Sequence, residues 1–314
     1  MISVSDSINS RCSHVAVLKG GPGAEREVSL RSGAAVAEAL RSVGLQVEEL
    51  DVQDASFLLP EGVEAVFPVL HGSFGEDGIV QRRLEDLNIP YVGSRSWEMP
   101  RSFDKEISRA LLLQAEVPVA DGEMIEAGDE VRRTAPLVIK APRQGSSIGL
   151  EIVMKQEDVP EALEKVRQFD DRVLVEAFVE GREVTVGFLG EDTLPIVEIC
   201  PASGTYDYEA KYERNDTEYV VPARLTPEKE EIILSYARRA YHHLGGRHFG
   251  RVDLRVPDEG VPVVLELNPI PGFTSTSLLP KAAVALGIDF PSLCVLILNQ
   301  AEHLSSYGQS KSKT

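Results

Sequence analysis

The stretch from Arg251 to Leu278 constrains the fold more than any other, because it holds two Val/Leu-rich runs separated by Pro257, Asp258, Glu259 and Gly260. That composition predicts two adjacent strands joined by a polar turn. Strand side chains alternate faces, so Arg251, Asp253 and Arg255 share one face of the first run and Val252, Leu254 and Val256 the other. In the second run the same alternation sets Glu266 and Asn268 on one face and sends Val263, Leu265 and Leu267 into the core. Pairing the strands brings Asp253 beside Glu266 and Asn268. Three oxygen donors, two of them anionic, repel one another unless a cation lies between them. Mg²⁺ suits such a set, since it prefers hard oxygen ligands and is held by one or two carboxylates together with substrate phosphates. The alternative is a solvated sheet face carrying scattered charge.

A chain of 314 residues has room for two or three domains. Fifty acidic against thirty-two basic residues give a net charge of -18, which disfavours nucleic acid and anionic membranes as partners and leaves small ligands open. Cys12, Cys200 and Cys294 are odd in number, with no metal-type spacing, and suggest a reducing cytoplasm. No apolar run reaches membrane-spanning length, so the segment LCVLILNQ reads as core or subunit contact. Residues 1–13 read as a mobile leader and 305–314 as a mobile tail.

Along the chain, HVAVLKGG predicts a strand, followed by a Gly/Pro turn and a helix from about Val28. Gly21 and Gly23 lack the third glycine of a dinucleotide-binding fingerprint, where Arg26 stands instead. Glu25 is placed either to hold an ammonium group or to complement the helix dipole. Strands alternating with helices predict a parallel sheet, and His71 falls beyond the carboxyl end of one strand, where ligands bind in such sheets. A boundary is expected between Pro90 and Pro100. Lys105 lies in the first turn of the next helix, where it is either solvated or engaged with an anion. Lys140 ends the strand PLVIK, and a Gly/Ser loop through Ser146 and Ser147 follows it. Such a loop can turn N–H groups and hydroxyls toward phosphate, although the order is the reverse of a Walker loop. Glu176 and Glu183 flank Phe178-Val179, an apolar segment suited to a flat base. The polar, aromatic stretch from Cys200 to Pro222 predicts a lid or binding loop, with Lys211 and Tyr212 its most chemically capable residues. Thr226 and Pro227 predict the cap and first position of a further helix.

Taken in order, GGPGAEREVSLRSG, HGSFGEDG, DK at 104–105, KAPRQGSSIG, EAFVEGREVTV, YDYEAKY, GRVDLRV and ELNPIPGFTSTSLLP resemble the D-alanine–D-alanine ligases of the ATP-grasp fold. The matching motifs run from about residue 14 to 290. The resemblance implies a mixed α/β, three-domain fold. Residues 14–97 would form an N-terminal substrate domain with a parallel sheet, and residues 98–177 and 178–304 the central and C-terminal domains that grip ATP. It implies that Lys105, Lys140 and Lys211 contact ATP phosphates, Glu176 and Val179 the adenine, and Glu183 the ribose. Asp253, Glu266 and Asn268 would hold two Mg²⁺ ions, with Mn²⁺ as a substitute. Glu25, in a chain with Ser146 and Tyr212, would hold the ammonium of the first D-alanine, with His71 nearby. Ser277 and Leu278 would receive the carboxylate of the second, and Arg251 and the Gly272 N–H would stabilise the oxyanion. A cytoplasmic homodimer making peptidoglycan precursor is the expectation. The rival readings are a ligase with another acceptor, such as D-lactate or D-serine, and a nucleotide-binding protein without turnover. Pro22-Gly23, Ala141-Pro142 and Pro269-Ile270 depart from the usual family residues, and the EAKY segment with Tyr212 resembles dipeptide-forming rather than ester-forming ligases.

Overall fold

The structure is a computed structural model that describes residues 9–201 and 217–303. Lys211 and Tyr212, with most of the expected lid loop, lie outside the described residues, as do most of the leader and tail.

Alternating burial builds the first layer. Strands β1 (His14–Gly20), β2 (Gln46–Val52) and β3 (Ala65–Pro68) form the expected parallel sheet in the order β2-β1-β3. Val15 and Val17 of β1 face one side, against helix α1 (Arg26–Ser42), while Ala16 and Leu18 face the other, against α2 (Ile79–Asp86). The C-terminal helices α7 (Leu278–Val284) and α8 (Phe290–Leu298) close the first of these cores, with Leu278, Leu293 and Ile297 packed among residues of β1, β3 and α1. LCVLILNQ is therefore core, and the end of the chain returns to its beginning.

After α3 (Met99–Phe103), helix α4 (Lys105–Gln114) starts at Asp104, whose carboxylate accepts from the Glu106 and Ile107 N–H groups. A four-stranded antiparallel sheet follows, ordered β4-β7-β5-β6, from β4 (Gly122–Ile125), β5 (Leu137–Lys140), β6 (Leu150–Val153) and β7 (Val173–Ala177). Leu137, Ile139, Val173 and Val175 pack against α5 (Val159–Val166). The alternate residues Val138, Lys140 and Glu176 are thereby turned to the opposite face.

The third sheet, ordered β11-β10-β8-β12-β13 with β9 (Asp192–Thr193) on β8, is built from β8 (Arg182–Leu189), β10 (Val197–Pro201), β11 (Thr217–Val220), β12 (Phe249–Val256) and β13 (Val263–Asn268). One face packs on α6 (Pro227–His243), which starts as expected with Thr226 accepting from the Lys229 N–H; Phe188 stacks on Tyr241 at 4.0 Å. The β12–β13 hairpin has the expected register at its functional end, with Arg251 opposite Asn268 and Asp253 opposite Glu266. Strict alternation then breaks. Leu254 pairs with Val264, so Leu265 is an extra residue, a β-bulge. The expectation that Leu265 enters the core is corrected: Val264 and Leu267 do, and Leu265 turns with Glu266 to the other face.

Candidate functional site

The polar faces of the two antiparallel sheets enclose a cavity of about 380 Å³. Ala120, Val138, Leu150, Ile152, Phe178 and Leu265 give it apolar walls. Val179, Glu176 and Glu183 lie along it, and Lys105, Lys140, Asp253 and Glu266 line it as well. A second, more polar cavity of about 610 Å³ is lined by Glu25, His71, Glu76, Arg251, Asn268, Gly272, Ser277 and Leu278. Gly145 and Ser146 line both cavities. The β12–β13 ladder is shared in the same way, since its Asp253/Glu266 rung faces the first cavity and its Arg251/Asn268 rung faces the second.

Three of the carboxylates that line the first cavity, those of Glu176, Glu183 and Asp253, are ion-paired. Glu176 is 2.6 Å from Lys140 and 3.1 Å from Arg109, and Glu183 is 3.1 Å from Arg255, its cross-strand neighbour. Lys105 sends its ammonium to the Gln144 carbonyl, so the solvated alternative for this lysine is not what the structure shows. Desolvation lowers its pKa, against which the Glu266 carboxylate works. The Gly/Ser loop is held in an unusual shape, with Ser146 and Ser147 at left-handed φ of 51° and 62°. Strain of this kind in non-glycine residues gathers at functional sites.

Asp253 accepts from Arg251 Nε and Nη2, each at 2.8 Å, and from Asn268 Nδ2 at 2.9 Å. Among the described residues no group of three or more His, Cys, Asp or Glu side chains converges as a metal site. Two facing carboxylates with one amide oxygen nonetheless fit a hard dication that completes its shell with water and phosphate oxygen. Here the Arg251 guanidinium supplies the positive charge.

In the second cavity Glu25 occupies the N-cap position of α1, yet its side chain makes no capping hydrogen bond. It accepts instead from Ser146 Oγ, which favours the ligand-binding alternative over the helix-dipole one. Gly72 is needed for this placement, since a Cβ there would lie 2.4 Å from Glu25 Oε2. His71 donates from Nδ1 to the Ile270 carbonyl at 2.9 Å and faces Ser32 Oγ with Nε2 at 3.4 Å. Burial, with Arg251 nearby, pulls its pKa down to about 4, so the ring is neutral at pH 7. Ser277 stands at the N-cap position of α7, and its Oγ makes no capping hydrogen bond but accepts from the Thr274 N–H at 3.0 Å. Leu278 follows in the first turn, where N–H groups lack intrahelical acceptors. The residues that depart from the family pattern act partly through backbone: the Ile270 carbonyl holds His71, and that of Pro142 accepts from the Lys105 N–H.

Family models described as the N-terminus and C-terminus of D-ala D-ala ligase match residues 46–94 and 110–299. The chain is 44% identical over 285 residues to a D-alanine–D-alanine ligase of Methylacidiphilum infernorum, covering 91% of this chain and 94% of that protein. It belongs to the D-alanine–D-alanine ligase family. A ligase of the same name from Bordetella avium is 42% identical over 94% of this chain and 96% of its own length. Among solved structures, the D-alanine–D-alanine ligase of Bacillus anthracis complexed with ATP superposes with a TM-score of 0.81 at 29% identity, over 92% of this chain and 97% of that one. VanG D-Ala:D-Ser ligase of Enterococcus faecalis gives 0.78 at 29% identity, over 92% and 99%.

Within this ligase family frame, every expected site residue among the described residues lines one of the two cavities. Sequence reasoning gave no site role to Glu76, Arg109 or Arg255, and it sent Leu265 to the core. Arg109 was within reach, four residues after Lys105 and therefore on the same helix face. Glu76 stands inside HGSFGEDG, but its meeting with Glu25 is a tertiary one. Removal from water, and then the Glu25 carboxylate, raise its pKa well above the ordinary range.

Proposed function

We propose that the protein joins two D-alanines into D-alanyl-D-alanine at the expense of ATP, through an acyl phosphate, supplying peptidoglycan precursor in the cytoplasm. One observation carries the reading most: the Gly145-Ser146 loop and the β12–β13 ladder each face both cavities, so a phosphoryl group in one meets a carboxylate in the other. A carboxylate is a poor electrophile until it carries a phosphoryl group, and the two cavities suit the two partners of that transfer. The purine lies between the apolar walls beside Glu176 and Val179, with Glu183 at the ribose. Lys105 and Lys140, joined by Lys211, neutralise phosphate charge as it shifts, which is the main demand of phosphoryl transfer. Asp253, Glu266 and Asn268 are the residues to hold two Mg²⁺ ions. When bound, these ions would neutralise phosphate oxygens and orient the transferring group.

In the second cavity Glu25, oriented by Ser146 and in a chain with Tyr212, holds the ammonium of the first D-alanine. Neutral His71 adds no charge beside it. Ser277 and the Leu278 N–H receive the carboxylate of the second D-alanine, whose amine attacks the acyl carbon. Arg251 and the Gly272 N–H face the oxyanion of the tetrahedral intermediate before phosphate leaves. Exclusion of water protects the acyl phosphate, a task suited to the segment that joins β10 to β11, the expected 200–222 loop being strand at Cys200, Pro201 and Thr217–Val220. The domain limits near residues 97 and 177 and a homodimer belong to the same proposal; light scattering tests the assembly.

The deciding experiment is phosphate release with ATP, Mg²⁺ and a panel of D- and L-amino acids and D-lactate, with products identified by mass. D-alanine-dependent release with the dipeptide as product is expected. Release driven only by another acceptor, or ATP binding without release, overturns the reading.

A further inference from the structure

Glu176 is poorly explained by its neighbours in the strand. It stands on β7 opposite Gly122 of β4, and a Cβ on Gly122 would lie 2.7 Å from Glu176 Cγ, so the sheet leaves room for this one side chain. Its carboxylate is buried and has two cations rather than one: Lys140 Nζ at 2.6 Å from Oε2 and Arg109 Nη1 at 3.1 Å from Oε1. The cations differ in what else they do. Lys140 lines the nucleotide cavity, and a triphosphate there competes with Glu176 for its ammonium. Arg109 projects from α4 and donates also to the Ala120 carbonyl, which fixes its guanidinium against the main chain of the cavity wall. A planar guanidinium held at a second point orients a carboxylate in a way that a lysine on a flexible stem does not.

We propose that Arg109 is a positioning and specificity-determining residue: it fixes the Glu176 carboxylate as an acceptor for the 6-amino group of the purine, and so sets the preference for ATP over 6-oxo-purine triphosphates. The inference rests on the placement of the adenine beside Glu176 in the proposed function. A 6-amino group donates to a fixed carboxylate, whereas a 6-oxo group sets an acceptor against it and leaves both unsatisfied. A site built to hydrogen-bond one group rejects the analogue that lacks it, and it loses that discrimination when the partner is free to turn away. Arg109 touches neither nucleotide nor reacting atoms in this scheme. Its effect therefore falls on nucleotide affinity and base choice, with chemistry left intact.

The test uses the full chain and the variants Arg109→Ala, Arg109→Lys and Glu176→Ala. Dissociation constants for ATP and for inosine triphosphate are measured without D-alanine, and kcat and KM with it. Arg109→Ala is expected to weaken ATP about tenfold, to change kcat by less than about twofold, and to narrow the ATP-to-ITP preference about tenfold. Arg109→Lys, which keeps the charge but not the planar fork, recovers part of the ATP affinity and little of the preference, and Glu176→Ala narrows the preference at least as far as Arg109→Ala. Should Arg109→Ala fail to fold, Arg109→Gln, which retains a donor for the Ala120 carbonyl without the charge, serves in its place. Equal weakening of both nucleotides in the arginine variants, with preference lost only in Glu176→Ala, overturns the role given to Arg109. An unchanged preference in Glu176→Ala overturns the base placement and the inference with it. A failure of ligase activity shows separately, as absent D-alanine-dependent turnover alongside intact base selection in the binding data.

Discussion

The two cavities are made of different material. The first cavity is walled mainly by strands, and its lining follows from alternation: Val138, Lys140, Glu176, Glu183 and Asp253 face inward because their neighbours in sequence are needed in a core. The second cavity is assembled from chain ends and turns, with Glu25 at a helix start, His71 and Glu76 after β3, Ser146 in the Gly/Ser loop and the run Gly272–Leu278 after β13. A sheet imposes spacing on its ligand and tolerates little variation. Loops gathered from distant parts of the chain set a pocket that can be reshaped one turn at a time. In the proposed reading the nucleoside triphosphate lies on strands and the small amino acid on loops. The β12–β13 ladder belongs to both and is the point at which a change should damage both half-reactions.

The sharpest test of that shared element is Glu266→Gln, which keeps the shape of the rung and removes its charge. We expect kcat to fall by at least about 10³-fold with the folded state retained, measured by D-alanine-dependent phosphate release. A wild-type rate in this variant would separate the ladder from the chemistry. Glu25→Gln tests the second cavity alone. Loss of its charge from the ammonium site should lower kcat/KM for D-alanine about 10²-fold and leave the dissociation constant of ATP within about twofold. Equal damage to both constants would mean that the cavities do not act as separate sites.

How much of this arrangement was legible in the sequence follows the same division. Register at Asp253/Glu266, the cap at Thr226 and the lysine that ends β5 could be read from strand and helix periods, because local geometry dictates them. For Glu25 the residues alone left an ion-binding role and a helix-dipole role level. The choice depends on Ser146, 121 positions away, and on a glycine at position 72 that leaves the carboxylate room. Glu76 was missed because its partner is set by packing between elements, which no period encodes; the helix period sets Arg109 on the face of Lys105 but does not name Glu176 as its partner. The resemblance to a ligase family supplied roles that the periods could not. It did not foresee the bulge at Leu265, which only the pairing of two strands reveals.

His71 joins the parallel-sheet unit to the loop after β13, so acid should act on this junction before it acts on the strand-built cavity. Its pKa in the folded protein is about 4 against 6.5 for the free side chain, the difference arising first from burial. Well above pH 6.5 the ring is neutral in both states and contributes no pH dependence. As the pH falls below 6.5 the unfolded chain takes up a proton that the folded chain refuses, and stability declines until the folded pKa is passed. From pH 6.5 to 5 this group alone should cost about 1.6 kcal/mol. The measurement is denaturant unfolding of the wild type and His71→Gln across that range. Other titrating groups, His248 included, act on both proteins, so the difference between the curves isolates His71. Parallel curves would show that its burial is relieved in solution.

The smallest effect concerns the bulge, and it separates the strand-built cavity from the core behind it. Val264 and Leu265 are neighbours, and strict alternation would send Leu265 inward and Val264 to the ligand. The structure does the reverse, with Val264 packed beneath β12 and Leu265 on the cavity wall beside Glu266. Val264→Ala should therefore lower stability by about 1–2 kcal/mol through a small void, with KM for ATP unchanged. Leu265→Ala should leave the melting temperature nearly unchanged and raise KM for ATP about threefold to fivefold, the loss of a few apolar contacts with a ring. An exchange of these two results would mean that β13 runs without a bulge. Glu266 and Asn268 would then keep their face, but Val264 would take the place of Leu265 in the wall of the first cavity.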